Sequence, residues 1–220
     1  MAQTTLDPRN SGTWQVRVTN HGALADVYDL ELGGLAAVGG SLSANVVSLA
    51  PGASQTVQLT LSELDPLVPQ SYLLSVAAVS RANALIADED TTAVALLGYE
   101  AVQVAWFPAS QTVTGTLSAQ VLLVITNTAN SNAVYDLSAV MAGGSSTVGI
   151  GQIVLPAHGT VQVVVNVAAP QAGTYSVVGT ADSPNSPASG SALATVVFVE
   201  GVEPPPANPV IYLPLIMRVP

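Results

Sequence analysis

The sequence contains the same pattern twice, in the same order. Segment 18–20 (VTN) precedes 27–30 (VYDL), and 107 residues further on segment 125–127 (ITN) precedes 134–137 (VYDL). Downstream, 49–52 (LAPG) and 155–159 (LPAHG) each lead into an apolar run, and Tyr72 and Tyr175 follow. Landmarks matched in order indicate two tandem copies of a domain of roughly 100 residues. We predict domain 1 over residues 1–98, domain 2 over 99–200 and a tail over 201–220.

Hydrophobic residues alternate at period two over most of the chain. Segments 57–61 (VQLTL) and 161–167 (VQVVVNV) are examples, and clusters of Gly, Pro, Asn and Ser separate such runs. Alternation at this period sends one row of side chains into a core and the other towards water. The fold class predicted is therefore all-β, with two tandem sandwiches. Segment 80–88 (SRANALIAD) is predicted to be a loop crossing rather than a helix.

The repeated polar residues have structural interpretations. Asn20 and Asn127 follow a strand, where asparagine tolerates left-handed backbone geometry and starts a turn. Tyr72 and Tyr175 each enter a late strand and are predicted to form tyrosine corners, with the hydroxyl tied to upstream backbone.

The motif series VTN…VYDL…LAPG…VQLTL…Y-x-x-x-V resembles bacterial immunoglobulin-like repeats. It is most similar to the class found in alpha-galactosidase-associated domains and in repeat regions of cell-surface proteins. The resemblance covers roughly residues 10–200. It implies an immunoglobulin-like sandwich in each copy, and a role as a spacer, adhesion module or structural unit. The second copy departs from the pattern at 157–159 (AHG), where only the turn type is affected.

Charge and composition exclude several classes of protein. Four arginines face 14 acidic residues, for a net charge of −10, and the chain has no lysine and no cysteine. Scattered arginines cannot neutralise a nucleic-acid backbone or hold an anionic membrane surface. No run approaches the roughly 20 continuous apolar residues of a membrane span. A lysine-free surface rich in Thr, Ser and Val favours an extracellular or cell-surface location.

Catalysis and cofactor binding are not expected. The two histidines, His21 and His158, fall in turns of different domains and cannot serve one triad. Trp14 and Trp106 are interpreted as packing residues rather than a sugar platform. We therefore predict a protein that is not an enzyme and has no cofactor.

One acidic cluster is a weak candidate for a calcium site. Asp88, Glu89 and Asp90 are consecutive carboxylates, which suit an ion that takes six to eight oxygen ligands. Asp26, Asp29 or Glu31 could contribute if the loops met. The preferred interpretation is a solvated acidic loop without metal.

The two copies differ in their number of strands. Domain 2 opens with 102–108 (VQVAWFP), whose counterpart in domain 1 would precede the given sequence, so domain 1 is expected to lack its first strand. The tail, in contrast, is predicted to carry one strand more than the two copies need. After a stiff linker at Pro204, Pro205 and Pro206 comes a strand-like apolar run that belongs to neither copy. Its predicted polymerisation residues are Val210, Ile211, Tyr212, Leu213, Leu215, Ile216 and Met217.

Two functions follow from this mismatch. A spare strand can complete a sandwich that lacks one, as in donor-strand complementation of pilins. A linker over 201–210 reaches only about 31 Å as polyproline, which favours a partner over the chain itself. The first hypothesis is an extracellular filament of identical chains assembled head to tail. The alternative is a spacer, adhesion or carbohydrate-binding accessory module, a C-terminal fragment of a larger secreted or cell-surface protein. A contact with glycan or cell surface is left open.

Overall fold

A computed structural model describes residues 4–201. These residues form β-strands almost throughout, arranged as two sandwiches in sequence along the chain. The predicted all-β, immunoglobulin-like fold is confirmed. The linker prolines at 204–206 and the predicted polymerisation strand lie outside the described residues. Within 4–201, no helix has the length and apolar character needed to traverse a bilayer.

Residues 4–96 form domain 1. Its elements are β1 (Thr4–Leu6), β2 (Gly12–Thr19), β3 (Asp26–Gly34), α1 (Leu35–Gly39), β4 (Gly40–Leu42), β5 (Val46–Leu49), β6 (Ser54–Leu61), β7 (Ser71–Ser80) and β8 (Ala87–Leu96). One sheet has the order β1-β8-β7-β3-β5, and the facing sheet has the order β2-β6-β4.

Residues 102–199 form domain 2. Its elements are β9 (Val102–Phe107), β10 (Ser110–Thr114), β11 (Ser118–Asn127), β12 (Ala133–Met141), β13 (Ser145–Val148), β14 (Gln152–Leu155), β15 (Thr160–Ala168), β16 (Gly173–Asp182) and β17 (Ser189–Val199). One sheet has the order β10-β17-β16-β12-β14, and the other has the order β13-β15-β11-β9.

The two domains can be aligned position by position. Tyr72 in β7 lies opposite Val94 in β8, and Tyr175 in β16 lies opposite Val196 in β17. Asn20 and Asn127 align the first halves, so β2 corresponds to β11. Two residues that this alignment equates are called counterparts.

The repeated asparagines act through their side chains. Asn20 and Asn127 are almost fully buried, and each accepts a hydrogen bond from the tyrosine eight residues later, Tyr28 or Tyr135, at 2.9 Å. Each also accepts one from the backbone N–H two residues later. The predicted turn is present, but the predicted left-handed backbone is wrong: the non-glycine residues with positive φ are Glu63 and His158 in the described chain.

The predicted tyrosine corners are confirmed. The Tyr72 hydroxyl donates to the Val68 carbonyl at 3.1 Å, and the Tyr175 hydroxyl donates to the Gln171 carbonyl at 3.0 Å. Each bond ties the start of a late strand to the loop before it, so the same connection is fixed in both domains.

A buried asparagine joins the domains. Asn130, in a loop of domain 2, donates from its side chain to the carbonyls of Leu67 and Leu97 in domain 1, both at 3.1 Å. Its side-chain oxygen accepts from the backbone N–H of Tyr99 in the connection between the domains. The Arg9 guanidinium lies 4.6 Å from the Tyr99 ring centroid. These contacts fix the connection against both domains.

Candidate functional site

An open cleft runs along one edge of domain 1, between its two sheets. Its volume is about 550 Å³. We call it the domain 1 cleft. Its walls are the inner faces of β2 and of β7–β8, with the loops that follow β2 and β7 at its mouth. The residues that line these walls include Val16, Val18, Val76, Ala78, Asp88 and Asp90.

In domain 2 the same place is filled by β9. This strand pairs antiparallel with β11, with Trp106 opposite Leu123 and Val104 opposite Ile125. The buried Trp106 ring donates from Nε1 to the carbonyl of Ala192 on β17, at 3.0 Å. Strand β9 therefore closes the edge of the sandwich by bonding to one sheet and lying against the other.

Small residues on β16 and β17 make room for β9. A Cβ added at Gly179 would lie 2.7 Å from Cζ2 of Trp106. A Cβ added at Gly190 would lie 2.9 Å from a methyl carbon of Val104. A side chain at either position would displace Trp106 or Val104, so the two glycines help to shape the seat of β9.

Domain 1 differs at each of these positions. The counterparts of Leu123 and Ile125 are Val16 and Val18 on β2, which is flanked by β6 on one side and by no strand of residues 4–201 on the other. The counterpart of Gly179 is Val76, which lies opposite Asp90, the counterpart of Ala192. The counterpart of Gly190 is Asp88. The domain 1 cleft thus occupies the seat of β9, with one apolar wall and one acidic wall.

The acidic residues are placed by strand β8, and the predicted acidic loop is wrong. Residues 81–86 form the loop, but Asp88, Glu89 and Asp90 already belong to β8. Asp88 and Asp90 share the inner face with the buried Val94, whereas Glu89 points to the outer face, since side chains alternate along a strand. Three carboxylates split between two faces cannot converge on one ion. No group of three metal-ligating side chains occurs in the described part of the chain.

The other carboxylates considered for calcium are engaged elsewhere. Asp26 lines the mouth of the cleft and accepts a hydrogen bond from the Ser80 hydroxyl, which lowers the pKa of that carboxyl. Asp29 forms an ion pair with Arg81 at 2.7 Å, and the hydrogen bonds from this guanidinium lower the pKa of Asp29. Asp26 therefore adds a third negative charge to the cleft at neutral pH.

The histidines and tryptophans lie apart from one another. His21 lines the mouth of the cleft, and His158 occupies a turn of domain 2 with φ of 57°. Trp106 is a core residue, as predicted, and Trp14 on β2 is half-buried. Trp14, Val76 and Asp90 line a smaller recess of about 90 Å³, which shares Val76 and Asp90 with the domain 1 cleft.

Sequence reasoning missed the walls of this cleft. The signal was present in the aligned repeats, where Val76 and Asp90 of domain 1 replace Gly179 and Ala192 of domain 2. Exchanging small residues for large or charged ones at aligned strand positions indicates that a neighbouring strand is not seated in the same way.

No family model matches the sequence, and no curated protein matches it. Solved structures are similar in fold at low identity. The D00-D0 domain of intimin is 14% identical, with 90% of this chain and 96% of that chain covered and a TM-score of 0.40. A Porphyromonas gingivalis W83 protein of unknown function is 11% identical, with 91% and 94% covered and a TM-score of 0.34.

The Pseudomonas aeruginosa CupB2 chaperone is 8% identical, with 89% of this chain and 98% of that chain covered and a TM-score of 0.33. Similarity at this level carries no information about ligands, partners or activity. The particular repeat class that the sequence resembles stays a prediction.

Proposed function

We propose that this chain is a non-catalytic structural subunit of an extracellular filament. The apolar strand of residues 210–217 of one chain enters the domain 1 cleft of the next chain and completes its sandwich. A single observation supports this proposal above the others: the domain 1 cleft lies where domain 2 carries β9. The polar edge of β2 gives an incoming strand backbone hydrogen bonds, and Val16 and Val18 give it an apolar wall.

The direction of the chain favours such an arrangement. Strand β9 enters domain 2 directly from the connection that leaves domain 1, and then runs antiparallel to β11. In the proposed filament, a tail that leaves domain 2 after β17 approaches the next domain 1 at the end of its cleft that corresponds to the start of β9. It therefore enters the cleft with the same direction as β9. Because the contact joins different surfaces of the two chains, it can repeat from chain to chain, and it yields an open filament when the rotation between neighbours does not close a ring.

The alternative function, a spacer module of a longer chain, is supported by a different observation. β1 is the counterpart of β10, since both pair in parallel with the last strand of their domain. In domain 2, β9 directly precedes β10. A segment directly upstream of β1 is therefore the other natural occupant of the cleft.

The experiment compares the full chain with one that ends at residue 203. Light scattering after size exclusion and negative-stain imaging should show linear, concentration-dependent oligomers for the full chain and monomers for the truncated chain. A point variant gives a sharper comparison: Ile216→Asp in the strand should abolish assembly, whereas Ala207→Asp in the linker adds the same charge and should not. If full and truncated chains are the same monodisperse monomer, the filament is wrong and the spacer function takes its place.

A further inference from the structure

Two carboxylates face into the domain 1 cleft, on the wall against which an incoming strand must lie. Asp88 and Asp90 occupy the inner face of β8, at the positions of Gly190 and Ala192 beneath β9. Both aspartates are exposed in the open cleft. A strand seated there as β9 is seated in domain 2 would remove water from both of them.

A purely aliphatic strand is a poor occupant for such a wall. Removing water from an ionised carboxylate without supplying a partner costs several kcal/mol, by the typical penalty for buried ions. The occupant must therefore bring a cation to this part of the cleft. A charged pair formed in this way also selects one partner strand over others that lack the charge.

Few cations are available in this chain. It has four arginines and no lysine. Arg9 is paired with Asp7 at 2.6 Å and Arg81 with Asp29 at 2.7 Å. Arg17, on β2, also lines the cleft, but its guanidinium donates to the Ser54 hydroxyl at 3.3 Å. The fourth is Arg218, which directly follows the predicted polymerisation strand.

The sequence of β9 indicates where Arg218 belongs. In β9, Trp106 is followed by Phe-Pro, and in the tail Arg218 is followed by Val-Pro. Aligning the two prolines places Arg218 at the position of Trp106, whose Nε1 donates to the backbone carbonyl of Ala192, the counterpart of Asp90. Val76 stands where Gly179 lies against the indole, so the wall of the domain 1 cleft carries a side chain at this level where domain 2 carries none. An arginine has a narrow aliphatic stem that can lie along Val76 and a guanidinium that can reach a carboxylate.

We infer that Asp88 and Asp90 fix the register of the incoming strand by binding Arg218 of a second copy of this chain. In this register Arg218 lies opposite Val16 and Ile216 opposite Val18, with Tyr212 and Pro214 on the same inward-facing side. The inference rests on the proposed filament. To the filament proposal, the inference adds the residue by which the cleft recognises the correct strand and the position in the cleft at which that strand stops.

Charge exchange in the full chain tests the pairing. Arg218→Ala should raise the concentration at which half of the chains are assembled by about 10- to 100-fold, as expected for loss of a charged hydrogen bond. Asp90→Arg should do at least as much, and the double variant Asp90→Arg/Arg218→Asp should recover most of the loss. Glu89→Arg is the matched control, since it makes the same charge change on the outer face of β8 and should leave assembly unchanged. Circular dichroism of the monomers confirms that each variant is folded.

The absence of cysteine allows an independent test of the register. A Val16→Cys chain mixed with an Arg218→Cys chain should form a disulfide-linked dimer, because this register places the two positions opposite each other on neighbouring strands, with their Cβ atoms within reach. A Glu89→Cys chain mixed with the Arg218→Cys chain should not. If a chain with both cysteines at 16 and 218 cross-links only to itself, the filament is overturned.

The inference and the proposed function fail separately. If Arg218→Ala assembles at the concentration of the unaltered chain, or if the exchanged pair recovers nothing, the register is wrong. The filament then still stands, provided that the chain ending at residue 203 is monomeric. If that truncated chain assembles as well, both are wrong.

Discussion

The buried asparagine of each repeat is expected to be among the largest single contributors to domain stability, and Asn127→Ala tests this in domain 2. Asn127 is fully buried. Its side chain makes hydrogen bonds to the carbonyls of Ser131 at 2.9 Å, Leu155 at 3.2 Å and Pro156 at 2.9 Å, the backbone N–H of Ala129 at 3.0 Å and the hydroxyl of Tyr135 at 2.9 Å. It therefore connects the ends of β11 and β14 to the turn after β11.

The expected loss of stability follows from the number of hydrogen bonds that the Asn127 side chain can make. The amide of Asn127 has two hydrogens, which serve the three carbonyls, and its oxygen accepts two more bonds. Four bonds at about 1 kcal/mol each, with partners left buried and unsatisfied, predict a loss of about 4 kcal/mol in the free energy of unfolding. For a domain of this size the melting temperature should fall by about 16 to 32 °C. Tyr135→Phe removes one hydroxyl and should cost about 1 kcal/mol.

The assay uses the distribution of the two tryptophans. In a Trp14→Phe background Trp106 is the one remaining tryptophan, and it is buried in domain 2, so its fluorescence under selective tryptophan excitation reports urea unfolding of that domain. Asn185→Ala, at an exposed loop position of the same domain, is the matched control and should lie within about 0.5 kcal/mol of the parent. If Asn127→Ala costs less than Tyr135→Phe, the network does not hold the turn and this reasoning is refuted.

Much of the fold could be predicted from the sequence because the repeat and the period-two pattern agree. The eight-residue spacing of Asn20 and Tyr28 can be read from the sequence, but its structural cause cannot. An asparagine that starts a turn and an asparagine whose side-chain amide is buried look the same in a sequence. The strands β1 and β10 were missed. They are short and pair in parallel with the last strand of their domain, which leaves no hairpin signal between neighbouring segments.

The acidic segment shows tertiary structure overriding local preference. Aspartate and glutamate are depleted in strands, so residues 88–90 resemble a loop. Pairing with β7 over nine positions extends β8 through them regardless. The helix α1 was also missed, because a single turn has no amphipathic period. Its Leu35 and Ala36 are nevertheless buried in the core of domain 1.

Two further predictions concern the junction and the response to pH. Asn130→Ala removes the bonds to Leu67 and Leu97, so chymotrypsin should cleave after Tyr99 at least about tenfold faster, by gel densitometry, with the unfolding of each domain little changed; an unchanged rate would show that the junction does not depend on Asn130. Burial, and secondarily the charge of Glu100, raises the pKa of Tyr135 to about 12. An unfolded tyrosine loses its proton near pH ~10, so the stability of domain 2 should be intact below pH 10 and fall between pH 10 and about 12. Below pH 10 the urea midpoint of Tyr135→Phe should lie below that of the parent by a constant amount, and between pH 10 and about 12 this gap should narrow because only the parent loses stability; a gap that stays constant through that range would contradict the assignment.

Domain 1 keeps a substantial core without a counterpart of β9 among its described residues, and this bears on how a filament would form. Its buried apolar cluster has 15 members against 17 in domain 2. Helix α1 supplies two of the 15, Leu35 and Ala36, and Val76 fills space that Gly179 leaves to Trp106. A domain that has already buried its core does not need an incoming strand in order to fold. In the proposed filament, the strand's binding energy would come from the backbone of β2, the apolar wall and the carboxylates of Asp88 and Asp90. Assembly on such a preformed cleft should be reversible and should weaken with salt, because the charged part of that energy is screened.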